Sequence, residues 1–108
     1  MATGNVNNAF GAKEISYTLA SGVSLYAGKV CRVGDLVCVQ LRLTITANIR
    51  NVRIVTGLPS PYGGYLDYNL IYIGTAGSAN LYLDASGAIY FEGEASSGTI
   101  FVNVVYVG

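Results

Sequence analysis

A two-residue Gly34-Asp35 connection between two alternating apolar stretches constrains the fold of this chain more than any other feature. Residues 30–45 read VCRVGDLVCVQLRLTI, with apolar and polar residues alternating on both sides of the connection. This alternation has the period of a β-strand, and two such strands joined by Gly-Asp are a strong hairpin signal. The stretch therefore predicts an antiparallel hairpin with strands over residues 23–31 and 36–45.

The same two-residue period recurs along the rest of the chain, and no window keeps the 3.6-residue apolar stripe of a helix. Fourteen glycines and two prolines separate the alternating segments. Besides the hairpin, strands are predicted over residues 15–19, 52–55, 68–73, 79–83, 88–92 and 99–107. Seven or eight strands at intervals of about 8–12 residues are typical of a sandwich or jelly roll. We predict one all-β domain, an antiparallel, jelly-roll-like β-sandwich over residues 12–108, after a flexible lead-in over residues 1–11.

Alternate residues of the second hairpin strand and of the last strand are apolar, which predicts that one face of each strand lies in the core. These inward residues are Val37, Val39, Leu41, Leu43, Ile100, Val102 and Val104.

The composition favours a protein that assembles with copies of itself. Hydrophobic residues make up 52% of the chain and charged residues only 11%, against about 25% charged in ordinary soluble domains. No apolar run approaches the roughly 20 residues that span a bilayer, so membrane insertion does not explain the excess. We therefore predict a homo-oligomer that buries part of its surface between subunits. The alternative is a monomer covered by Ser, Thr, Asn, Gly and tyrosine hydroxyls.

The charges balance overall but are unevenly distributed. The net charge is zero, which gives no reason to expect nucleic acid as a partner. All six basic residues lie within the first 53 positions, whereas residues 54–108 carry four acids and no base. The two halves are either paired within one subunit, or they form complementary patches on facing subunits. Residues 1–10 have neither the basic flank nor the apolar core of a signal peptide.

The chain lacks the residues on which most catalytic and metal sites depend. It has no histidine, so the commonest general base and metal ligand is missing. Glu92 and Glu94 share a strand face, but two glutamates beside Gly93 are more typical of a solvated strand end than of a glycosidase pair. We predict no catalytic residue, no metal and no cofactor, and the chain is not expected to be an enzyme.

The hairpin register places the two cysteines opposite one another. With Gly34-Asp35 as a two-residue loop, Cys31 faces Cys38 directly, at a separation that a disulfide tolerates. Two thiols without another soft ligand do not make a zinc site. A disulfide is therefore possible in geometry, while the alternative is a pair of half-buried thiols made in a reducing cytosol.

The tyrosines are the one indication of a binding site. The chain has nine tyrosines and no tryptophan, and residues 61–72 read PYGGYLDYNLIY. Tyrosine combines a flat apolar face with a hydroxyl, which suits sugars and protein surfaces. The predicted ligand-binding residues are Tyr62, Tyr65, Asp67, Tyr68 and Asn69. Alternatively, these tyrosines pack within the fold or across a subunit interface.

Four short motifs stand out along the chain: RVGDLVCV at 32–39, VTGLP at 55–59 followed by Tyr62, DASG at 84–87, and VVYV at 104–107. Taken together they resemble the C-terminal β-sandwich domains of bacteriophage tail-fibre and receptor-binding proteins. The resemblance implies a trimeric fibre tip in the virion tail, produced in the host cytoplasm. The chain departs from the family at Val30, where an aromatic residue is frequent, and at Gly63 and Gly64, where Arg-x-Pro-like residues follow the tyrosine. Ligand contacts made through those positions do not carry over.

Together these features predict a tail-fibre tip domain that binds the bacterial cell surface, through a cell-wall glycan, as a homotrimer. A second hypothesis is a purely structural oligomerisation cap of a fibre or collagen-like protein, with no ligand. A third, a hydrolase of surface polysaccharide, depends only on the presence of carboxylates.

Overall fold

The computed structural model describes residues 11–64, 71–74 and 79–108, and these form nine β-strands and no α-helix. The strands are β1 Lys13–Glu14, β2 Thr18–Leu19, β3 Val23–Val33, β4 Leu36–Ile45, β5 Ile49–Thr56, β6 Ile71–Gly74, β7 Asn80–Leu83, β8 Ile89–Ala95 and β9 Gly98–Val107. Over these residues, no helix is long and apolar enough to cross a membrane.

The strands form two antiparallel sheets that pack as a sandwich. One sheet has the order β1-β3-β4-β9-β6 and the other the order β2-β5-β8-β7. In the first sheet β9 lies between β4 and β6, and in the second sheet β8 lies between β5 and β7. Apart from the β3–β4 and β7–β8 hairpins, each connection between successive strands crosses from one sheet to the other, as in a jelly roll. The predicted all-β sandwich is confirmed.

The described residues contain nine strands rather than seven or eight, because two short strands replace the one predicted over residues 15–19: β1 lies just before that range and β2 at its end. Lys13 of β1 pairs with Arg32 in the five-stranded sheet, whereas Leu19 of β2 pairs with Val55 in the four-stranded sheet. Between them the chain crosses from one sheet to the other while Ile15 and Tyr17 pack against the core. The alternation predicts the inward residues correctly, but it does not show where the chain passes from one sheet to the other.

The core lies between the two sheets and is entirely apolar in the part of the chain that the structure describes. All seven predicted core residues are buried. The four-stranded sheet contributes Ile54, Leu81, Leu83, Ile89 and Phe91, each 2% exposed or less. Since the inward residues of both sheets pack against each other here, a functional site on the sheets has to be formed by residues of the outer faces.

The two predicted tight turns adopt the expected conformations. Gly34 has φ 59° at the first central position of the β3–β4 hairpin, which matches a type II′ turn. In the β7–β8 hairpin Gly87 has φ 82°, the left-handed residue that completes a type I turn with a bulge. The predicted lead-in over residues 1–11 lies outside the described residues except for Gly11, so the domain boundary stays a prediction.

Candidate functional site

The predicted tyrosine site falls only partly within the described residues. Tyr65, Asp67, Tyr68 and Asn69 lie outside them, and their role as ligand-binding residues stays a prediction. Tyr62 lies in a turn after β5, and its side chain is 83% exposed. The Tyr62 N–H donates a hydrogen bond to the Val107 carbonyl at 2.7 Å, which ties the turn to the end of β9.

Tyr62 borders a shallow depression of about 360 Å³ that is also lined by Asp35, Val107 and Gly108. The Gly108 N–H donates to the Asp35 carbonyl at 3.0 Å, and the Arg32 guanidinium donates to the Gly108 main-chain oxygen at 2.7 Å. These bonds fix the end of β9 against the β3–β4 turn. The exposed residue Tyr62 and the acidic residue Asp35 therefore line one depression where the predicted site begins.

The outer face of the five-stranded sheet is the second candidate surface. The registers of β3–β4 and β4–β9 place outward residues in rows that run across the three strands. From the turn end, these rows are Val33-Leu36-Val107, Cys31-Cys38-Val105, Lys29-Gln40-Asn103 and Ala27-Arg42-Phe101.

The first two of these rows, here named the apolar rows, contain no polar side chain. Leu36, Val105 and Val107 are 44%, 51% and 47% exposed, which is high for large aliphatic residues in strands. The other exposed large apolar residues among those described are Leu25 and Tyr26 on β3 and Tyr62 in the turn beside Val107. Five of these six residues lie on the five-stranded sheet, where contact with another surface would remove them from water.

Cys31 and Cys38 lie within the apolar rows and face each other, as the hairpin register predicts. Both are partly exposed free cysteines. The structure thus contains no disulfide between them.

A cluster of Tyr26, Arg42 and Phe101, here named the guanidinium cluster, lies at the other end of the outer face. The Arg42 guanidinium lies 4.1 Å from the centre of the Tyr26 ring and 5.4 Å from that of Phe101. Arg42 and Phe101 are direct partners across β4 and β9. Tyr26 reaches them because a β-bulge between Leu25 and Ala27 leaves it as the extra residue of β3.

Next to this cluster the sheet has a depression of about 370 Å³. Gly28 contributes to its floor, and a Cβ at that position would lie only 2.0 Å from the Gln40 carbonyl oxygen. The backbones of β3 and β4 therefore approach closely where no side chain covers them. The side chains of Gln40, Arg42, Phe101 and Asn103 line the remainder.

The sheets differ in charge. The described part of the five-stranded sheet and its Gly34-Asp35 turn carries four basic residues and two acidic ones, an excess of two positive charges. Lys29 pairs with Glu14 at 3.0 Å on the same sheet. Arg53 pairs with Asp84 at 3.0 Å and so joins the basic and acidic halves of the sequence within one subunit.

The two glutamates considered for catalysis are exposed on β8 of the four-stranded sheet. Glu92 accepts a hydrogen bond from the Asn80 amide at 3.3 Å, and Glu94 accepts one from the Asn48 amide at 3.5 Å. Over the described residues, no group of three or more His, Cys, Asp or Glu could hold a metal ion. These contacts are those of a hydrogen-bonded strand surface.

Sequence reasoning missed the guanidinium cluster. The alternation places Arg42 on the outward face, but Tyr26 joins it only through the bulge, and Phe101 only through the β4–β9 register. Gly28, a glycine inside a strand pattern, was the available signal, because such glycines mark bulges and close backbone approaches.

Comparison with protein-family models and with curated proteins gave no match.

Proposed function

We propose that this chain is a non-catalytic recognition module that works as a homotrimer at the tip of a phage tail fibre and binds a bacterial surface glycan. The observation that carries the assembly is the pair of apolar rows on the outer face of the five-stranded sheet. Three exposed aliphatic side chains and three partly exposed apolar ones in six adjoining sheet positions favour a protein surface as their cover. Burial contributes about 25 cal/mol of stabilisation for each Å² of apolar surface removed from water.

A second copy of the chain is the occupant that fits this surface. The sheet is about 33 Å long along a ten-residue strand and about 19 Å wide over five strands. The apolar rows occupy the turn end of this sheet, so a copy that covers them leaves the guanidinium cluster at the other end of the face open. The low charged fraction of 11% supports a second copy as the occupant, since few polar side chains are available to keep this face in water.

Glycan binding is supported by the exposed residue Tyr62 and by the depression that it lines together with Asp35. The sequence continues from Tyr62 with Tyr65, Asp67, Tyr68 and Asn69, which add aromatic faces and hydrogen-bonding groups. Aromatic rings stack on the apolar faces of sugars, while carboxylates and carboxamides pair with hydroxyls. Three such loops in one trimer would raise the avidity for a cell surface by roughly 10²–10⁴.

The test measures binding to a panel of purified bacterial cell walls and to a glycan array. Tyr65→Ala and Asp67→Ala should reduce binding without changing the oligomeric mass, whereas Tyr90→Ala, on the four-stranded sheet, should bind like the parent. If Tyr65→Ala and Asp67→Ala also bind like the parent, these loop residues are not the ligand site.

The purely structural oligomerisation cap is the second candidate, and the apolar rows support it equally, since assembly alone would cover them. An oligomer of the expected mass that binds no cell wall and no arrayed glycan would favour the cap over the recognition module.

A further inference from the structure

We propose that the guanidinium cluster is a second binding site on the outer face, specific for an anionic group on a hydroxylated chain. The ligand group is the carboxylate of an acidic sugar or the phosphodiester of a phosphate-bearing glycan. The inference rests on the proposed glycan-binding function, and it adds a contact and a charge preference that the tyrosine loop does not supply.

The Arg42 side chain is held against two aromatic rings. Its guanidinium lies over the Tyr26 ring at 4.1 Å and near the Phe101 ring at 5.4 Å. Stacking engages the face of the planar group and leaves the N–H donors at its edge available. Among the side chains and backbone groups that the structure describes, no carboxylate and no hydrogen-bond acceptor pairs with those donors. Arginine in this state suits two-point binding of a carboxylate or phosphate.

Two carboxamide side chains lie beside the guanidinium. Gln40 and Asn103 are direct partners in the neighbouring row, and both are exposed. Each carboxamide offers two N–H donors and one carbonyl acceptor. These groups match the hydroxyls that flank the anionic group of a sugar or of a polyol phosphate.

The outer face also has space for a ligand at this position. The depression beside Arg42 has a volume of about 370 Å³, within the range of about 300–1,000 Å³ for small-molecule sites. Gly28 keeps its floor free of side chains, and any larger residue there would collide with the Gln40 carbonyl. The Phe101 ring forms part of the lining and offers an apolar surface to a sugar ring.

The net charge of the five-stranded sheet is positive. Glu14, an acidic residue of this sheet, is bound to Lys29 at 3.0 Å. The sheet keeps its excess of two positive charges, so the site favours an anion over a neutral or cationic ligand.

The experiment titrates the isotopically labelled full chain with three oligomers of matched length and follows the side-chain amide signals by NMR. The probes are a galacturonic acid oligomer, a glycerol phosphate oligomer and a neutral maltose oligomer. At least one acidic probe should shift the Gln40 and Asn103 amides and leave Asn80, on the four-stranded sheet, unchanged. Comparing the two acidic probes distinguishes a carboxylate ligand from a phosphodiester.

The matched variants are Arg42→Gln and Arg50→Gln, which each remove one exposed arginine, from the five-stranded and the four-stranded sheet respectively. Arg42→Gln should weaken binding of the acidic oligomer roughly tenfold to a hundredfold, the effect of losing a charged hydrogen bond. Arg50→Gln should bind like the parent. Equal losses in both variants would overturn the inference, because they would indicate a general charge effect.

The remaining outcomes separate this inference from the proposed function. If only the neutral oligomer binds, or if acidic oligomers shift signals near Tyr62 and not at Gln40, the anionic site is wrong while glycan binding stands. If no oligomer binds, the anionic site is wrong, and the cell-wall and array measurements decide the proposed function independently.

Discussion

At the scale of single residues, a few side chains fix the loops to the sandwich. The Tyr106 ring is buried in the core, and its hydroxyl donates to the Pro59 carbonyl at 2.7 Å. This bond connects the end of β9 to the segment that leads into Tyr62. Burial raises the pKa of Tyr106 to about 12, although the nearby positive charge of Arg32 lowers it.

This pKa predicts a loss of stability at high pH. The unfolded tyrosine ionises near pH 10, so the unfolded state releases its proton first and folding weakens as the pH rises from about 10 to about 12. Tyr106→Phe should cost about 0.5–1.5 kcal/mol at pH 7 through the lost hydrogen bond. It should also flatten the alkaline decline in urea unfolding experiments.

Part of that decline should remain in Tyr106→Phe, because burial and the charge of Glu14 also raise the pKa of Tyr17. Tyr62→Phe, at an exposed position, is the control and should follow the parent. An unchanged alkaline decline in Tyr106→Phe would contradict the assignment.

Gly28 gives a second prediction at this scale. Its φ of 115° is unfavourable for other residues, and an added Cβ would collide with the Gln40 carbonyl at 2.0 Å. Gly28→Ala should lower the free energy of unfolding by about 2–4 kcal/mol. Gly63→Ala is the matched control, since Gly63 has φ 85° but no atom within 4 Å of the added Cβ; it should cost about 1 kcal/mol. Equal losses in thermal unfolding would show that the close approach is unimportant.

At the scale of elements, side chains stabilise the turns that set the register. In the β7–β8 hairpin, Asp84 Oδ1 accepts hydrogen bonds from the Ser86 hydroxyl, from the Ser86 N–H at 2.9 Å and from the Ala88 N–H at 3.2 Å. Its Oδ2 accepts one from the Arg53 guanidinium at 3.0 Å. Burial raises the pKa of Asp84, but these hydrogen bonds together outweigh it and leave the pKa below its usual value.

The lowered pKa predicts that Asp84 stabilises the fold at neutral pH and ceases to do so in acid. Its contribution is present above the unfolded pKa of about 4 and is lost as the pH falls further, through the lower folded value. Asp84→Asn should be about 1–2 kcal/mol less stable at pH 7. Its acid unfolding profile should also be flatter than that of the parent below pH 4. Glu92→Gln, on the exposed face of β8, is the control and should leave the stability at pH 7 and the acid unfolding profile unchanged. Similar losses in both variants would contradict the stabilising role of Asp84 in the β7–β8 turn.

At the scale of the whole molecule, the two outer faces have different characters. The five-stranded sheet carries the apolar rows and the excess of positive charge, whereas the described part of the four-stranded sheet and the adjoining turn residue Asp84 carry two arginines against three acids. If the proposed assembly forms, the five-stranded sheet is the face that it would cover.

This difference predicts which face assembles. Val105→Lys places a charge within the apolar rows and should shift the molecule toward the 11.3 kDa monomer in sedimentation velocity. Because Val105 is already half exposed, the variant should keep its β-sheet circular dichroism. Asn80→Lys adds the same charge to the four-stranded sheet and should keep the parent mass. A parent chain that is monomeric at micromolar concentration, or a Val105→Lys oligomer, would contradict the proposed interface.

The sequence by itself determined the features that depend on neighbours along the chain. The two-residue period marked the strands and the buried residues of β4 and β9, because inward and outward positions alternate within any strand. The Gly34-Asp35 and 84–87 turns were predictable because each requires a glycine with positive φ. The opposition of Cys31 and Cys38 then followed by counting outward from the turn.

Only the tertiary structure decided what depends on pairing between distant strands. In β5, bulges interrupt the alternation, so that the adjacent residues Ile54 and Val55 are both buried. Asn51 adopts φ 43°, and its side-chain oxygen accepts a hydrogen bond from the Gly93 N–H at 2.9 Å. A bulge inserts a residue without any change of composition, so the period fails there. The apolar rows and the guanidinium cluster likewise exist only once β3, β4 and β9 lie in register, since residues far apart in sequence become neighbours through hydrogen bonds between strands.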